Sequence, residues 1–553
     1  MPSTPESSRD AFAAWRAATA RDWLADDPHF SAITPHFPER TAFAHTCATV
    51  IDPLARTTNR DEHLPRLQRY DADGRRTEGV VFHPDHQRIG EAIWGVDLLG
   101  RYRTPGHESE TLALLYLLAQ NGEGGWCCPM ACTAGMIKVS QSALAGSDDG
   151  PLAGWLDRLL TPDFGRMLYA SQFLTEIQGG SDVGANVVTA RPVEAAETDG
   201  WWALTGEKWF CSVIDASLFL VTARPEGATA GTAGLRAFVV PRALSGHDPR
   251  DPTSPPNGFA VRRLKWKLGT RSMASAEVDF EGAYGWPVAD FHGTVAIVLN
   301  TSRLYNAVCA AAILQRSWRE ADGYARTRMA FGKPILAFPA VARTVAKLKC
   351  EAHAARSLTF HLAALSDRLA LSGGGSAGDD ADLRSAWRML VNLNKIWTAL
   401  TCPAGVRDAI EVLGGNGAIE EFSVLPRLLR DSIVLEAWEG GHGVLCAQLL
   451  KDAQKGLHRP MFAHLRGLPT KEGGEQAVVD ALAARWETTL SWGDADVVWR
   501  DLVEETRIPV QALLLRAQGV PAAIVDHFTA MHDGTRSPVD DPGLGARIRA
   551  VVG

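Results

Sequence analysis

A chain of 553 residues exceeds what one hydrophobic core ordinarily organises, so a small single domain is excluded and two to four domains in continuous contact are expected. Hydrophobic residues at 46% and charged residues at 22% match ordinary globular proteins, and no run of about 18 uncharged apolar residues is available to span a bilayer. The net charge of −8 offers no electrostatic reason for a polyanion partner over the whole surface, which leaves only a local basic patch as a route to one. The first residues, MPSTPESSRDAFAAWRAATARDW, mix acids and bases without an apolar core; they do not read as a secretory signal, and the expected address is the cytoplasm. Nine cysteines are scattered along the chain and only Cys127, Cys128 and Cys132 cluster, without a CxxC pair or a histidine at zinc spacing, so small buried thiols are expected there rather than a metal centre.

In chain order, residues 1–165 predict a helical domain, with apolar positions at helical spacing as in Thr111 to Ala119. Residues 166–290 switch to short β-rich runs, SLFLVTARP, LRAFVVPRA and SAEVDFEGA, punctuated by Gly, Pro and Asp, and predict an antiparallel β domain. Residues 291–455 return to long helical patterns such as Val341, Val345 and Leu348, interrupted by a flexible LSGGGSAGDD connection, and predict a four-helix bundle. Residues 456–553 read as an appended helical subdomain. The fold class is therefore α+β, with helices at both ends of the chain and strands between them.

Five stretches carry candidate chemistry. In LTEIQGGSDV, Gly179 and Gly180 allow close backbone approach, and Thr175 and Ser181 offer hydroxyls; a polar turn is the bland alternative. In GEKWFCSV, Trp209 offers an aromatic wall and Ser212 a hydrogen-bonding group, although such a strand can equally be plain core. In YARTRMAFGK, Arg328 either complements a helix dipole or clamps a pyrophosphate bidentately. EVLGGNG supplies Gly414, Gly415 and Gly417 after a helix, and RDSIVLEAWEGGHG supplies Glu439, a carboxylate beside Trp438 whose proton affinity apolar walls would raise towards that of a general base.

The order TExxGGSD, GxKWF-x-S, RxxFGKP, LGGNG and RD followed by aromatic-Glu-Gly resembles the acyl-CoA dehydrogenase family over roughly residues 80 to 450. RYDADGRR, FHPDHQ, RLKWKLGTRSMASAEVDF, WEG and the long C-terminal extension resemble its AidB-like branch. The resemblance implies an N-terminal helical domain, a middle β-barrel and a C-terminal helical bundle. It also implies FAD and a homo-oligomer, a homotetramer or homodimer, in which a neighbouring subunit meets the cofactor. Carried onto this chain, Thr175, Gly180, Ser181, Trp209 and Ser212 fall at flavin-contacting positions, and Arg328 and Phe331 fall where the neighbouring subunit meets FAD. Gly414, Gly415 and Gly417 complete that cradle.

In such enzymes a glutamate removes the α-proton of an acyl thioester while the β-hydride passes to flavin N5. Glu439 occupies the matching place, with Arg303 beside it tuning its charge. Relatives that place the base on the first bundle helix do so immediately before an arginine; the pair here is Ser302-Arg303, without a carboxylate. Gly441 and His442 replace more usual residues after the base, and His442 reads as a cleft residue that alters the substrate or as a surface histidine. Three functions follow: dehydrogenation of an acyl thioester held by CoA or a carrier protein, with an electron-transfer flavoprotein or oxygen as acceptor; DNA-associated protection against alkylation; or a flavin-dependent oxidase or monooxygenase on the same fold. From Leu457 to Gly553 ten Lys and Arg face thirteen Asp and Glu, a net −3, which argues against DNA as a partner.

Overall fold

The computed structural model describes residues 5–20, 23–24, 27–145, 150–194, 200–372, 377–469, 474–534 and 538–553, so part of the LSGGGSAGDD connection, and Lys471, Glu472 and Arg536, lie outside the described residues. Two compact units alternate along the chain: residues 51–104 with 123–302, and residues 1–50 with 105–122 and 303–553.

The first unit is built on β-branched and aromatic runs that cannot bury both faces without curling. Its strands are β1 (Arg66–Tyr70), β2 (Arg76–Val81), β3 (Ala170–Phe173), β4 (Thr189–Pro192), β5 (Trp202–Ser212), β6 (Leu218–Pro225), β7 (Arg236–Pro241), β8 (Phe259–Leu264) and β9 (Ser275–Asp290). β6 pairs with β7 along one edge and with β3 and then β4 along the other. β4 continues to β5, β5 to β9 and β9 back to β7, which closes the barrel; β8 lies on β9. Most pairings are antiparallel as expected, but β3 and β4 both run parallel to β6, because the chain crosses over between them rather than turning back in a hairpin.

The β1–β2 hairpin departs from the helical reading of residues 1–165. Local turn chemistry overrides the surrounding helical composition: Asp71 Oδ1 accepts from the backbone N–H of Asp73 (2.9 Å) and Arg75 (2.8 Å), and Gly74 sits at φ +78°. The hairpin is pinned to β8 by Arg69, which donates to the Val261 carbonyl, and by Glu78 Oε2, which accepts from Val261 N at 3.0 Å.

Inside the barrel, Lys208 of β5 and Glu176 are each only 1% exposed, and Nζ stands 2.8 Å from Oε1. The ammonium also donates to Thr222 Oγ1 (3.2 Å) and the Leu174 carbonyl (3.3 Å), while Glu176 accepts from Val187 N (2.6 Å) and Val188 N (3.3 Å). Burial alone would raise the Glu176 carboxyl, yet Lys208 and these donors hold it below its ordinary range; burial lowers Lys208 against the opposing pull of Glu176.

The second unit is helical. Its longest complete helices, Pro339–Leu371 and Ala377–Leu413, pack on each other, and Ala377–Leu413 also packs on Leu425–Ala437 and His458–Arg466. A stripe of small residues at four-residue spacing, Ala342, Ala346, Cys350 and Ala354, lets helices Ala495–Ala517, Ala522–Met531 and Leu544–Val552 approach closely, and Leu515, Ile524, Phe528 and Val551 complete that core. Buried Glu351 ties the same face to the C-terminal segment through Arg507 (3.2 Å) and His532 (2.7 Å). Helix Phe291–Thr327 alone among the described residues has the length and composition of a membrane span, and its apolar stretch is mostly buried within the protein, as a core helix is.

Removing one member of a buried ion pair strands the other charge, a cost of about 3 to 5 kcal/mol. Lys208→Met is therefore expected to lower the thermal unfolding midpoint steeply, with Lys208→Met/Glu176→Gln recovering part of the loss; scanning calorimetry of the three proteins checks this.

Candidate active site

Helix Leu425–Ala437 ends at Trp438, whose backbone is extended, and helix His442–Gln454 begins after Gly441. The connection reverses through two left-handed residues, Glu439 at φ +59° and Gly440 at φ +100°. A glutamate gains nothing intrinsic from that conformation, and such strain persists only where surrounding contacts impose it. Two buried cations do so. Arg303, on helix Phe291–Thr327, donates Nε to the Glu439 carbonyl at 3.1 Å and Nη1 to Asn392 Oδ1 at 2.8 Å. Lys395, fully buried on helix Ala377–Leu413, donates Nζ to the carbonyls of Glu436 and Gly440, both at 2.9 Å, and so satisfies a carbonyl in the helix's last turn that lacks an intrahelical partner.

The carboxyl of Glu439 is raised above its ordinary range, burial being the main cause, with Arg303 and Lys395 pulling the other way. Burial brings Arg303 down to about 10 and Lys395 to about 8, Glu439 opposing both. Among the described residues no group hydrogen-bonds the Glu439 carboxylate, so its oxygens are uncommitted. His442 is not a surface histidine: its side chain is 12% exposed, Nε2 lies 3.3 Å from Glu436 Oε2, and Nδ1 is buried without a hydrogen-bond partner among the described residues. Burial and Lys395 lower its pKa.

The same unit brings Arg328, Phe331 and the glycine turn together. Arg328 follows the end of the Phe291–Thr327 helix and donates its N–H to the Tyr324 carbonyl at 2.8 Å; the Tyr324 hydroxyl accepts from Asn416 Nδ2 of the GGNG turn at 3.1 Å. The Arg328 guanidinium lies 5.8 Å from the Phe12 ring and has no ion-pair partner among the described residues. Strands β10 (Met329–Ala330) and β11 (Lys333–Pro334) form a two-residue hairpin whose corners, Phe331 at φ +49° and Gly332 at φ +80°, hold Phe331 out at 96% exposure. Gly414, at φ +61°, and Gly415 have open space where a Cβ would stand, whereas a Cβ on Gly417 would meet the Ile410 carbonyl oxygen at 2.7 Å.

The barrel unit gathers the other predicted residues. The Thr175 carbonyl accepts from Trp209 N at 3.0 Å, and a Cβ on Gly180 would meet Thr175 Oγ1 at 2.7 Å, which keeps that turn tight; Ser181 follows it and is exposed. The Lys265 ammonium sits 3.7 Å from the centre of the Trp209 ring, and Ser212 Oγ lies 3.2 Å from Ser275 Oγ. Thus Glu439 and Arg303 are in one unit with Arg328, Phe331 and the glycine turn, and Thr175, Gly180, Ser181, Trp209 and Ser212 are in the other. The sequence reading names none of Asn392, Lys395, Glu176 and Lys208. A signal existed for each: NLNK places Asn392 and Lys395 three apart on one helix face, and Glu176 and Lys208 stand inside the quoted motifs.

Residues 39–166 match the adaptive response protein AidB N-terminal domain, residues 171–283 the acyl-CoA dehydrogenase middle domain, and residues 293–453 the acyl-CoA dehydrogenase C-terminal domain. AidB of Escherichia coli is 31% identical over 421 residues, which is 71% of this chain and 69% of AidB. Acyl-CoA dehydrogenase family member 11 of Caenorhabditis elegans is 30% identical over 446 residues, 77% of this chain and 70% of the relative. In fold, the chain is similar to Caenorhabditis elegans ACDH-11 in complex with C11-CoA (TM-score 0.80, 22% identity, 96% of this chain and 94% of that one). It is also similar to the Bacillus anthracis acyl-CoA dehydrogenase complexed with FAD (TM-score 0.64, 17% identity, 94% and 86%). The chain belongs to the acyl-CoA dehydrogenase family, as an oxidoreductase of that type. Within the family it lies in the AidB-like branch, to which its N-terminal match points.

Phe331 is exposed and left-handed, a backbone state that asparagine tolerates far better than phenylalanine. Phe331→Asn should leave the thermal midpoint of the isolated chain unchanged or slightly raised, by up to about 1 kcal/mol of relieved strain. A clear fall in that midpoint would show instead that the Phe331–Phe338 ring contact supports the fold.

Proposed function

We propose that this protein oxidises an acyl thioester, held by CoA or a carrier protein, across its α,β bond, with Glu439 as the general base and FAD as the oxidant. The observation that carries this reading is the Glu439 carboxylate, half-buried, with uncommitted oxygens, on a strained connection clamped by Arg303 and Lys395. An α-proton is a weak acid, and a carboxylate removes it usefully only when burial has raised its basicity and its backbone is immobile. The two clamping cations favour the ionised carboxylate against the effect of burial, while their hydrogen bonds go to carbonyls rather than to its oxygens.

The residues present suit a flavin dinucleotide. Arg328 is a guanidinium without an ion pair among the described residues, suited to a pyrophosphate, and the open backbone at Gly414 and Gly415 permits close approach. Trp209 and Ser212 would meet the isoalloxazine, and Thr175, Gly180 and Ser181 would line the turn beside it. When bound, FAD supplies the hydride acceptor. In the homo-oligomer proposed here, the exposed Phe331 and neighbouring Arg328 would reach a cofactor held by the adjoining subunit. An electron-transfer flavoprotein or oxygen would then take the electrons.

A DNA-binding role is disfavoured. Seven arginines of the C-terminal segment are in ion pairs: Arg459 with Glu487, Arg466 with Asp480, Arg485 with Glu505, Arg500 with Glu504, Arg507 with Glu351, Arg516 with Glu475 and Arg547 with Asp541. Phosphates would have to displace those carboxylates, so little affinity from counterion release is left.

Glu439→Gln preserves volume and removes the base. The variant should fold and retain FAD, identified by chromatography of the released cofactor, yet reduce its flavin about 10² to 10⁴ times more slowly when mixed anaerobically with a thioester that bleaches the parent. Reduction at the parental rate would refute the assignment.

Lys395→Met removes a cation that favours the ionised base, so the Glu439 carboxyl should rise further. Because only the ionised form accepts the proton, the acid limb of the pH profile for flavin reduction should move to higher pH, and an unmoved limb would exclude electrostatic tuning by Lys395.

A further inference from the structure

At the end of β5 and the start of β9, Ser212 and Ser275 stand opposite each other in register, with their hydroxyl oxygens 3.2 Å apart. Ser275, 1% exposed, is also reached by Lys267, whose Nζ is 3.1 Å from Ser275 Oγ and 2.7 Å from the Met273 carbonyl. The chain ammonium–hydroxyl–hydroxyl has a direction. An ammonium has donors and no lone pair, so Lys267 donates to Ser275. Ser275 must then pass its own proton on, either to Ser212 Oγ at 3.2 Å or to the Met273 thioether at 3.6 Å. A hydroxyl oxygen is much the better acceptor, since thioether sulfur accepts only weakly. With Ser212 accepting from Ser275, the proton of Ser212 is turned away from the relay and is available to a group outside it.

The backbone around the relay is held rather than relaxed. Val213, directly after Ser212, lies at φ +57°, and Thr270, three residues after Lys267, at φ +54°; for β-branched residues both are outliers that the surrounding structure must enforce. Val213 N donates to the Ala274 carbonyl at 2.8 Å, locking the end of β5 to the segment that carries Ser275. The neighbouring Lys265 is committed otherwise, to Glu277 at 2.8 Å and to the Trp209 ring.

We propose that Lys267 is a positioning residue that acts through Ser275 to fix Ser212 as a hydrogen-bond donor to the flavin ring. This rests on the placement of Ser212 beside FAD proposed above. A donor with a fixed orientation, polarised by an ammonium two hydrogen bonds away, stabilises the electron-rich reduced ring more than the oxidised ring, and so makes the cofactor a stronger oxidant.

The test is the midpoint potential of bound FAD, measured anaerobically against a reference dye, in the parent, Ser212→Ala, Ser275→Ala, Lys267→Met, Lys267→Arg and Ser275→Ala/Lys267→Met. Ser212→Ala, Ser275→Ala and Lys267→Met should each leave FAD bound and make reduction less favourable by roughly threefold to tenfold, a fall of about 14 to 30 mV for a two-electron couple. Lys267→Arg, which keeps a charged donor, should hold the parental potential, and the double variant should fall no further than the larger single, because both changes break one relay. If Ser212→Ala lowers the potential while Ser275→Ala or Lys267→Met does not, or if the double variant is additive, the relay is overturned and the flavin placement stands. If Ser212→Ala leaves the potential of bound FAD unchanged, the placement of Ser212 falls and the relay with it. Should Lys267→Met fail to fold, Ser275→Ala carries the same decision, since it deletes one hydroxyl.

Discussion

Much of the barrel unit depends on keeping the charge of Lys208 buried at 2.8 Å from Glu176. A lone ammonium in that interior would be prohibitively costly, so the barrel must deliver a carboxylate to it, and the carboxylate must find donors for its remaining lone pairs. It finds them in the N–H groups of Val187 and Val188, with the result that the loop from Leu174 to Val188 is tied at both ends to β5. Thr175 and Gly180 lie on that loop, and Trp209 and Ser212 on that strand. Trp209 hydrogen-bonds back to the Thr175 carbonyl, so one electrostatic requirement sets the registry of four residues proposed to meet the flavin.

The helical unit meets a comparable requirement differently. Arg303 and Lys395 are buried, but their hydrogen bonds go to carbonyls around the Trp438–Gly441 connection and to Asn392. Their charge is therefore compensated at longer range by Glu439, which they stabilise without occupying its oxygens. This separates two tasks that a direct salt bridge would merge: holding the proposed base still and leaving its oxygens uncommitted. Glu351 shows the contrast, since its carboxylate is taken up directly by Arg507 and His532 and serves to dock the C-terminal helices.

The motifs were legible because they are local. The glycines of LGGNG mark the end of a helix, and Gly332 marks a turn, whereas the positive φ of Phe331 is not a preference of phenylalanine and is visible only in the folded chain. The strand runs of the barrel and the helices of the bundle are visible in their hydrophobic periods, whereas the β1–β2 hairpin was hidden, because DADG is a turn signal in a segment whose average composition is helical. Lys395 is one lysine among many in the sequence; its burial and its two carbonyl partners, Glu436 and Gly440, lie more than 40 residues away along the chain. Lys267 is close to Ser275 along the chain, but the pair gains meaning only when β9 sets Ser275 against Ser212 of β5.

By itself the sequence determined the kind and order of most elements, the presence of a carboxylate at Glu439 and the acidic balance of the C-terminal segment, all of which depend on residue identity and short-range spacing. Only the tertiary structure decided which charges are buried and what compensates them. Lys208 answers to Glu176, Arg303 and Lys395 answer to Glu439, and, among the described residues, seven C-terminal arginines are taken up by carboxylates. The physical reason is that the cost of a charge depends on its distance from water and from opposite charge, and both distances are set by segments that meet only when the chain has folded.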